Sequence, residues 1–231
     1  MTDPKIAFSR PLVNRLRARR AHLVWWWHIR QGPAAKRALD LLLVLPAMLL
    51  LAPVFAAIAL AIRLHDGGPA LFWQRRVGRH GGEFDFPKFR SMRVDAEAAR
   101  ERLLAANQHG EQAVTFKMKR DPRITPVGRF IRRASLDELP QLWCVLRGEM
   151  CLVGPRPPLP AEVARYTLDE RERLAVTPGL TCTWQVSGRS ELPFPQQVQM
   201  DLDYIRRPGL WADVKLLLKT LPAVLRGRGA Y

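Results

Sequence analysis

Leu41-Leu42-Leu43-Val44-Leu45-Pro46-Ala47-Met48-Leu49-Leu50-Leu51-Ala52-Pro53-Val54-Phe55-Ala56-Ala57-Ile58-Ala59-Leu60-Ala61-Ile62 runs for 22 residues without a charge. At about 1.5 Å per residue a helix of that length covers ~33 Å, enough for a hydrocarbon core of ~30 Å. Its Leu, Val, Ile and Phe side chains favour insertion by about 4 to 8 kcal/mol. Pro46 and Pro53 oppose a straight span, because each removes a backbone donor and crowds the carbonyl four residues earlier, at about 3 kcal/mol apiece. Pro53 divides the run into arms of 12 and 9 residues, each suited to about half a bilayer. Lys36 and Arg37 precede the run and Arg63 and Arg75 follow it. Positive charge at both ends gives no orientation, so a span and a hairpin that enters and leaves by one face both stay open.

Working outward, the chain has 231 residues and a formal net charge of +16, one catalytic-sized domain plus a membrane element. Such a charge calls for a polyanionic partner. Residues 1 to 37 hold nine Lys or Arg against the single acid Asp3, so half of the excess positive charge stands before the apolar run. Basic residues there are attracted to anionic headgroups by roughly 1 kcal/mol each, which makes a lipid surface a better partner than nucleic acid. Residues 1–35 also carry Trp25-Trp26-Trp27 among arginines, a mixture suited to the headgroup layer, although a disordered basic tail has the same composition. Cys144, Cys151 and Cys182 lack metal spacing and leave one over after pairing; they read as reduced core residues of a cytoplasmic domain. The apolar run lies too deep in the sequence and is too long for a secretory signal.

Beyond the run, the turn cluster His65 to Pro69 leads to short strands at Ala70 to Gln74 and Glu83 to Phe86, joined through Gly78, Gly81 and Gly82. Helices are expected at Asp95 to Ala106, Leu136 to Leu146 and Trp211 to Leu225, the last with Val214, Leu217, Leu218 and Leu221 on one face.

The chemistry-bearing stretch is Arg132-Arg133-Ala134-Ser135-Leu136-Asp137-Glu138-Leu139-Pro140-Gln141. Ser135-x-x-Glu138 fits a capping box, which would give Glu138 a structural role, but Pro140 would cost that helix a hydrogen bond to Leu136. An ionised Asp137 can ligate Mg²⁺ or attack phosphorus. In Gly154-Pro155-Arg156-Pro157-Pro158 the prolines stiffen the backbone around one guanidinium, so Arg156 can grip a phosphate at low entropic cost; a rigid polar turn is the plainer alternative. Lys88, Arg90, Arg76 and Arg132-Arg133 add charge suited to a diphosphate, though each alone is more often a solvated face. Asp201-Leu202-Asp203 spells DxD, a tripeptide that binds metal nucleotides in some glycosyltransferases and is common by chance. No GxxxxGK, strand-linked GxGxxG, HExxH or Cys/His zinc spacing occurs, which excludes P-loop, dinucleotide and zinc-hydrolase chemistry.

In order, Lys36-Arg37-Ala38-Leu39-Asp40, Gln74-x-Arg76-x-Gly78, Lys88-Phe89-Arg90-Ser91-Met92, Asp121-Pro122-Arg123-Ile124-Thr125, Ser135 to Gln141, Leu152 to Pro157, Trp184-Gln185-Val186-Ser187-Gly188-Arg189, Asp201-x-x-Tyr204 and Val224 to Gly229 resemble the bacterial sugar transferases, the polyprenyl-phosphate hexose-1-phosphate (phosphoglycosyl) transferases. The resemblance covers nearly all of residues 36 to 231. It implies an α+β, mostly helical, monotopic protein of the bacterial cytoplasmic (inner) membrane. Its parts would be an interfacial segment 1–35, a re-entrant helix 36–64 broken at Pro53, and a catalytic domain 65–231 facing the cytoplasm. It implies transfer of a sugar 1-phosphate from a UDP-sugar to undecaprenyl phosphate with release of UMP, starting exopolysaccharide, O-antigen or capsule synthesis. Asp137 would be the nucleophile and Glu138 its positioner or acid/base, with Mg²⁺ at that dyad. Arg156, Lys88, Arg90 and Arg76 would hold phosphates, and Gln185, Arg189 and Asp201 would line the nucleotide-sugar pocket. Anionic inner-membrane lipids are expected partners, nucleic acid is not, and a homodimer is left open.

The chain looks like a minimal form of longer members. It departs from their pattern at Ala52, where many carry Ser before the proline, and at its three cysteines. Cys182 matters most, since a side chain there would distort the loop before Trp184 if the backbone needs positive φ. Two other classes stay in view: a metal-dependent glycosyltransferase working through Asp201-x-Asp203, and a non-enzymatic basic membrane scaffold.

Overall fold

A computed structural model describes the backbone of residues 9–96, 121–188 and 192–226, and the side chains of 33–96, 121–188 and 192–222. The chain divides into two compact units, Met1–Leu39 and Asp40–Tyr231. Helix α1, Ser9–Asp66, supplies all the described backbone of the first unit; the tryptophan side chains at 25 to 27 lie outside the described residues.

In the second unit, α1 carries a regular apolar seam. Val44, Met48, Leu51, Phe55, Ile58 and Ile62 follow one another at alternate steps of four and three residues, the spacing that keeps side chains on one helical face. This face enters two joined cores. Val44, with Met48, Leu51 and Phe55 beside it, packs with Phe84, Phe86, Leu142, Val145 and Met150. Ile58 and Ile62 pack with Phe89 and Ile131. The opposite face is open: Leu42, Leu45, Leu49, Leu50, Leu60 and Leu64 are 57–80% exposed. Pro33–Asp66 is long and apolar enough to cross a membrane.

Here the structure corrects one expectation. The helix continues through Pro46 and Pro53 without a gap, so Pro53 does not separate two helices. A proline deletes only its own N–H bond and bends the axis locally, and α1 is packed on the domain from Val44 to Ile62, which offsets that loss.

Strands β1, Leu71–Val77, and β2, Glu83–Phe89, form an antiparallel hairpin pairing Gln74 with Phe86, Arg76 with Phe84 and Phe72 with Lys88. Because side chains alternate across a strand, Gln74, Arg76, Phe86 and Lys88 share one face, while Arg75 meets Glu83 and Asp85 on the exposed other face. Helix α2, Pro126–Arg133, follows, capped by Thr125 Oγ1, which accepts from Gly128 N at 2.9 Å. Next come a 3₁₀ turn, Leu136–Gln141, and helix α3, Leu142–Arg147. The single helix expected over 136–146 is thus two elements, because Pro140 cannot donate to Leu136.

Strands β3, Cys151–Val153, and β4, Gly179–Thr181, pair in parallel. Between them lie α4, Pro160–Val163, and α5, Leu168–Arg171; after them come α6, Thr183–Ser187, α7, Phe194–Arg206, and α8, Leu210–Arg226. The mostly helical α+β expectation holds. The helix expected at 95–106 lies outside the described residues beyond Ala96, and the three cysteines are free and buried, as expected.

Candidate active site

The 3₁₀ turn sets the two carboxylates. Ser135 adopts a left-handed backbone, φ 54°, and its side chain makes no cap hydrogen bond, so the capping box does not form. A left-handed non-glycine residue costs roughly 1–2 kcal/mol, strain that here reverses the chain just before Asp137. With three residues per turn, Asp137 and Glu138 point in directions about 120° apart. Glu138 is therefore free of capping duty and receives a bond from Arg156 Nη2 to its Oε1 at 2.8 Å.

The hairpin face supplies the other cations. Arg76 is buried; its Nη1 donates to the Pro157 carbonyl at 2.9 Å and its Nη2 to Gln74 Oε1 at 3.0 Å. Phe86 floors the site, with the Arg76 guanidinium 5.2 Å and the Lys88 ammonium 5.9 Å from its ring centre. Three cations from β1, β2 and the loop after β3 thus converge on two carboxylates from the 3₁₀ turn.

Each group feels the others. Burial, then the Glu138 charge, push Asp137 up to about 6, against the pull of Arg132, Lys88 and Arg156. Burial works the same way on Glu138, but Arg156 outweighs it and holds that carboxylate below its ordinary value. Burial, Arg76 and Arg156 push Lys88 down to about 7, and burial with Arg156 pushes Arg76 down to about 10. The Glu138 charge holds Arg156 above its ordinary value. Lys88 and Arg76, whose charge is disfavoured by burial and by neighbouring cations, suit a strong anion, since a diphosphate would relieve that repulsion.

The remaining predicted residues fall elsewhere. Arg90 is not in the cradle: its guanidinium is buried against Asp66 at the end of α1 and lies over Gly68. Asp201 is 1% exposed and is held by buried donors. Arg173 donates to its Oδ2 through Nε at 2.9 Å, Trp184 Nε1 donates at 3.3 Å, and Tyr166 joins through Arg173 Nη1 at 2.9 Å. Burial raises Asp201 to about 6 despite these donors. Asp203, two residues on in α7, accepts from Gln199 at the surface. On an α-helix residues i and i+2 face about 200° apart, so this DxD does not converge on a metal.

Gln185 sits on α6 and accepts from Cys182 Sγ at 3.0 Å. Cys182 has extended backbone, φ −146°, so its side chain is accommodated without strain, and burial raises its thiol well above the ordinary value. Arg189 lies outside the described residues. Sequence reasoning did not single out Gln74 as the partner of Arg76, although their i, i+2 spacing on a strand was the available signal. Nor did it find Arg173, which has no motif around it.

Among the described residues no group of three or more His, Cys, Asp or Glu converges as a metal cluster. Two carboxylates beside this cluster of cations still fit Mg²⁺, which commonly takes one or two carboxylates and fills its octahedron with phosphate oxygens and water.

This chain is similar to the galactosyl transferase CpsE of Streptococcus agalactiae serotype III, 47% identical over 197 residues, covering 85% of this chain and 43% of that protein. It is similar to the undecaprenyl-phosphate galactose phosphotransferase of Salmonella typhimurium, 43% identical over 87% of this chain and 43% of that protein. The chain thus spans about two fifths of these two relatives. It is also similar to the exopolysaccharide production protein ExoY of Rhizobium meliloti, 39% identical, with 87% of this chain matching 89% of that protein. Residues 31–227, which include every described cradle residue, match the bacterial sugar transferase model, and the chain belongs to that family.

Proposed function

We propose that this protein transfers a sugar 1-phosphate from a UDP-sugar to undecaprenyl phosphate, giving undecaprenyl-diphosphate-sugar and UMP. The observation that carries the proposal is the convergence of Lys88, Arg76 and Arg156 on the Asp137–Glu138 pair. Relatives whose names specify undecaprenyl-phosphate galactose or glucose phosphotransferase support the acceptor and the reaction class.

In the first step an Asp137 oxygen attacks the β-phosphorus of the donor. The bond from that phosphorus to the bridging oxygen breaks, and UMP leaves with the electron pair. In the second step a phosphate oxygen of undecaprenyl phosphate attacks the same phosphorus and returns Asp137 as carboxylate. Arg156 and Lys88 hold the transferring phosphoryl oxygens; Arg76, pinned by Gln74 and the Pro157 carbonyl, fixes the loop that carries Arg156. Glu138 orients Arg156 through their bond. Mg²⁺, held by the Asp137 and Glu138 carboxylates, would neutralise the diphosphate and help the UMP leave.

The open leucine face of α1 supports attachment to the cytoplasmic face of the inner membrane, with the acceptor reaching the site from the lipid. We read α1 as entering from that side, bent within a continuous helix. The basic residues before it add attraction to anionic lipid.

The test is nucleotide release by purified protein with Mg²⁺, undecaprenyl phosphate and a panel of UDP-sugars. UMP should appear with one donor and fall by at least about 10³-fold in Asp137→Asn. Release of UDP, or full turnover in Asp137→Asn, would overturn the mechanism.

A further inference from the structure

Asp40 opens the charge-free run of α1, yet its carboxylate is 3% exposed. A buried carboxylate is costly unless it is bound. Its Oδ1 accepts from the Leu152 amide at 3.1 Å, across 112 residues of sequence. Leu152 is the middle residue of β3. Cys151 N points at β4, donating to Pro178 O at 2.8 Å. Because peptide groups alternate along a strand, the Leu152 amide points away from β4 and needs a partner elsewhere. Asp40 provides it.

The residues that follow are fastened in turn. The Val153 carbonyl accepts from the Tyr204 hydroxyl at 3.0 Å, and that hydroxyl is 2.7 Å from Asp213 Oδ1. Gly154 N donates to Thr181 O at 3.0 Å, and the Pro155 carbonyl accepts from Gly179 N at 2.8 Å. The next residue is Arg156. At the C-terminal end of the helix Asp66 binds the buried Arg90, two residues beyond Lys88. The packed segment of α1, Val44 to Ile62, is therefore flanked by a carboxylate on either side, and each carboxylate holds the chain near one cradle cation.

We propose that α1 is a strut for the active site and that Asp40 is a positioning residue acting through Arg156, so that the membrane helix sets the phosphate cradle. The proposal rests on the transferase reading for its kinetic arm only.

The experiment compares wild type, Asp40→Leu, Asp40→Asn, Arg156→Ala and Asp40→Leu/Arg156→Ala in full-length protein in lipid nanodiscs. Two quantities are read: UMP release per folded molecule and hydrogen exchange of the backbone segment 151–156. Asp40→Leu should speed exchange of that segment and lower kcat by about tenfold or more, since misplacing a gripping group by an ångström costs on that scale. Asp40→Asn, which keeps an acceptor oxygen, should restore both towards wild type. In the Arg156→Ala background, Asp40→Leu should cost less than about a further twofold, because two residues acting through one contact are not additive. Unchanged exchange in Asp40→Leu overturns the proposal whatever the activity. So do losses that multiply in the double variant, the mark of a purely structural role. A wild type without UMP release counts against the transferase reading alone, and the exchange arm still decides the tether.

Discussion

Asp137 carries opposed demands. Its folded value of about 6 lies above the ordinary 3.8 because burial and Glu138 disfavour its charge. A raised carboxylate contributes stability that is fully present below the unfolded value and is lost as pH rises through the folded one. At neutral pH the ionised Asp137 therefore destabilises the protein. The whole shift is worth about 3 kcal/mol, and the solvent that the half-buried side chain still reaches reduces this to about 1–2 kcal/mol. Asp137→Asn should accordingly raise the melting temperature at pH 7, with the gain disappearing below pH ~4, while turnover is lost. The same charges shape the rate. Asp137 must be ionised to attack and Lys88 must be charged to hold phosphate, so kcat/KM should fall below about 6 and above about 7. A flat profile from pH 5 to 9, measured by UMP release, would contradict this assignment of roles.

The places of Asp137, Glu138, Lys88, Arg76 and Arg156 in one cluster were legible in the sequence at this scale. The buried pairing of Arg90 and Asp201 was not, because a charged residue in a motif reads alike whether it faces a ligand or a buried partner. Only the partners, Asp66 for Arg90 and Arg173 for Asp201, tell the two cases apart.

At the scale of elements, α1 has two unlike apolar faces that its composition does not distinguish. The seam through Ile58 belongs to the core, and the face through Leu49 and Leu50 belongs to the surroundings. Leu49→Glu with Leu50→Glu should leave the purified domain folded but shift it from the membrane towards the soluble fraction. Ile58→Glu should unfold it, since an unpaired carboxylate would enter a closed core. Cell fractionation and circular dichroism of the three proteins check this; equal effects of the two changes would dissolve the distinction.

A second element-level feature stands behind Arg156. A Cβ on Gly179 would lie 2.0 Å from Gly154 N. Gly179→Ala must push β4 away from the loop that carries Arg156, at a cost of roughly 1–3 kcal/mol. Its loss in kcat/KM should exceed what the lower melting temperature explains, measured at a temperature where the variant is folded.

For the molecule as a whole, one helix is both a core element and, by its length and apolar composition, a candidate membrane element. A free-standing span would need lipid on every side, and the seam from Val44 to Ile62 is already committed to protein. Ala38→Cys and Arg63→Cys, single cysteines at exposed positions on either side of the apolar run, in a background lacking the native three, should both label from the cytoplasmic side. Labelling from opposite sides would establish a span.

By itself the sequence determined the membrane-length run, the hairpin, the reduced cysteines, the dyad with its cations and, through ordered motifs, the family. These are local: periodicity, turn residues and charge are written within a few positions of one another. The tertiary structure decided which carboxylate pairs with which cation, that α1 passes unbroken through Pro53, that the DxD pair diverges, and that Asp40 reaches Leu152. Each depends on partners tens of residues apart, and a residue's own neighbours carry no information about which distant group will meet it once the core has closed.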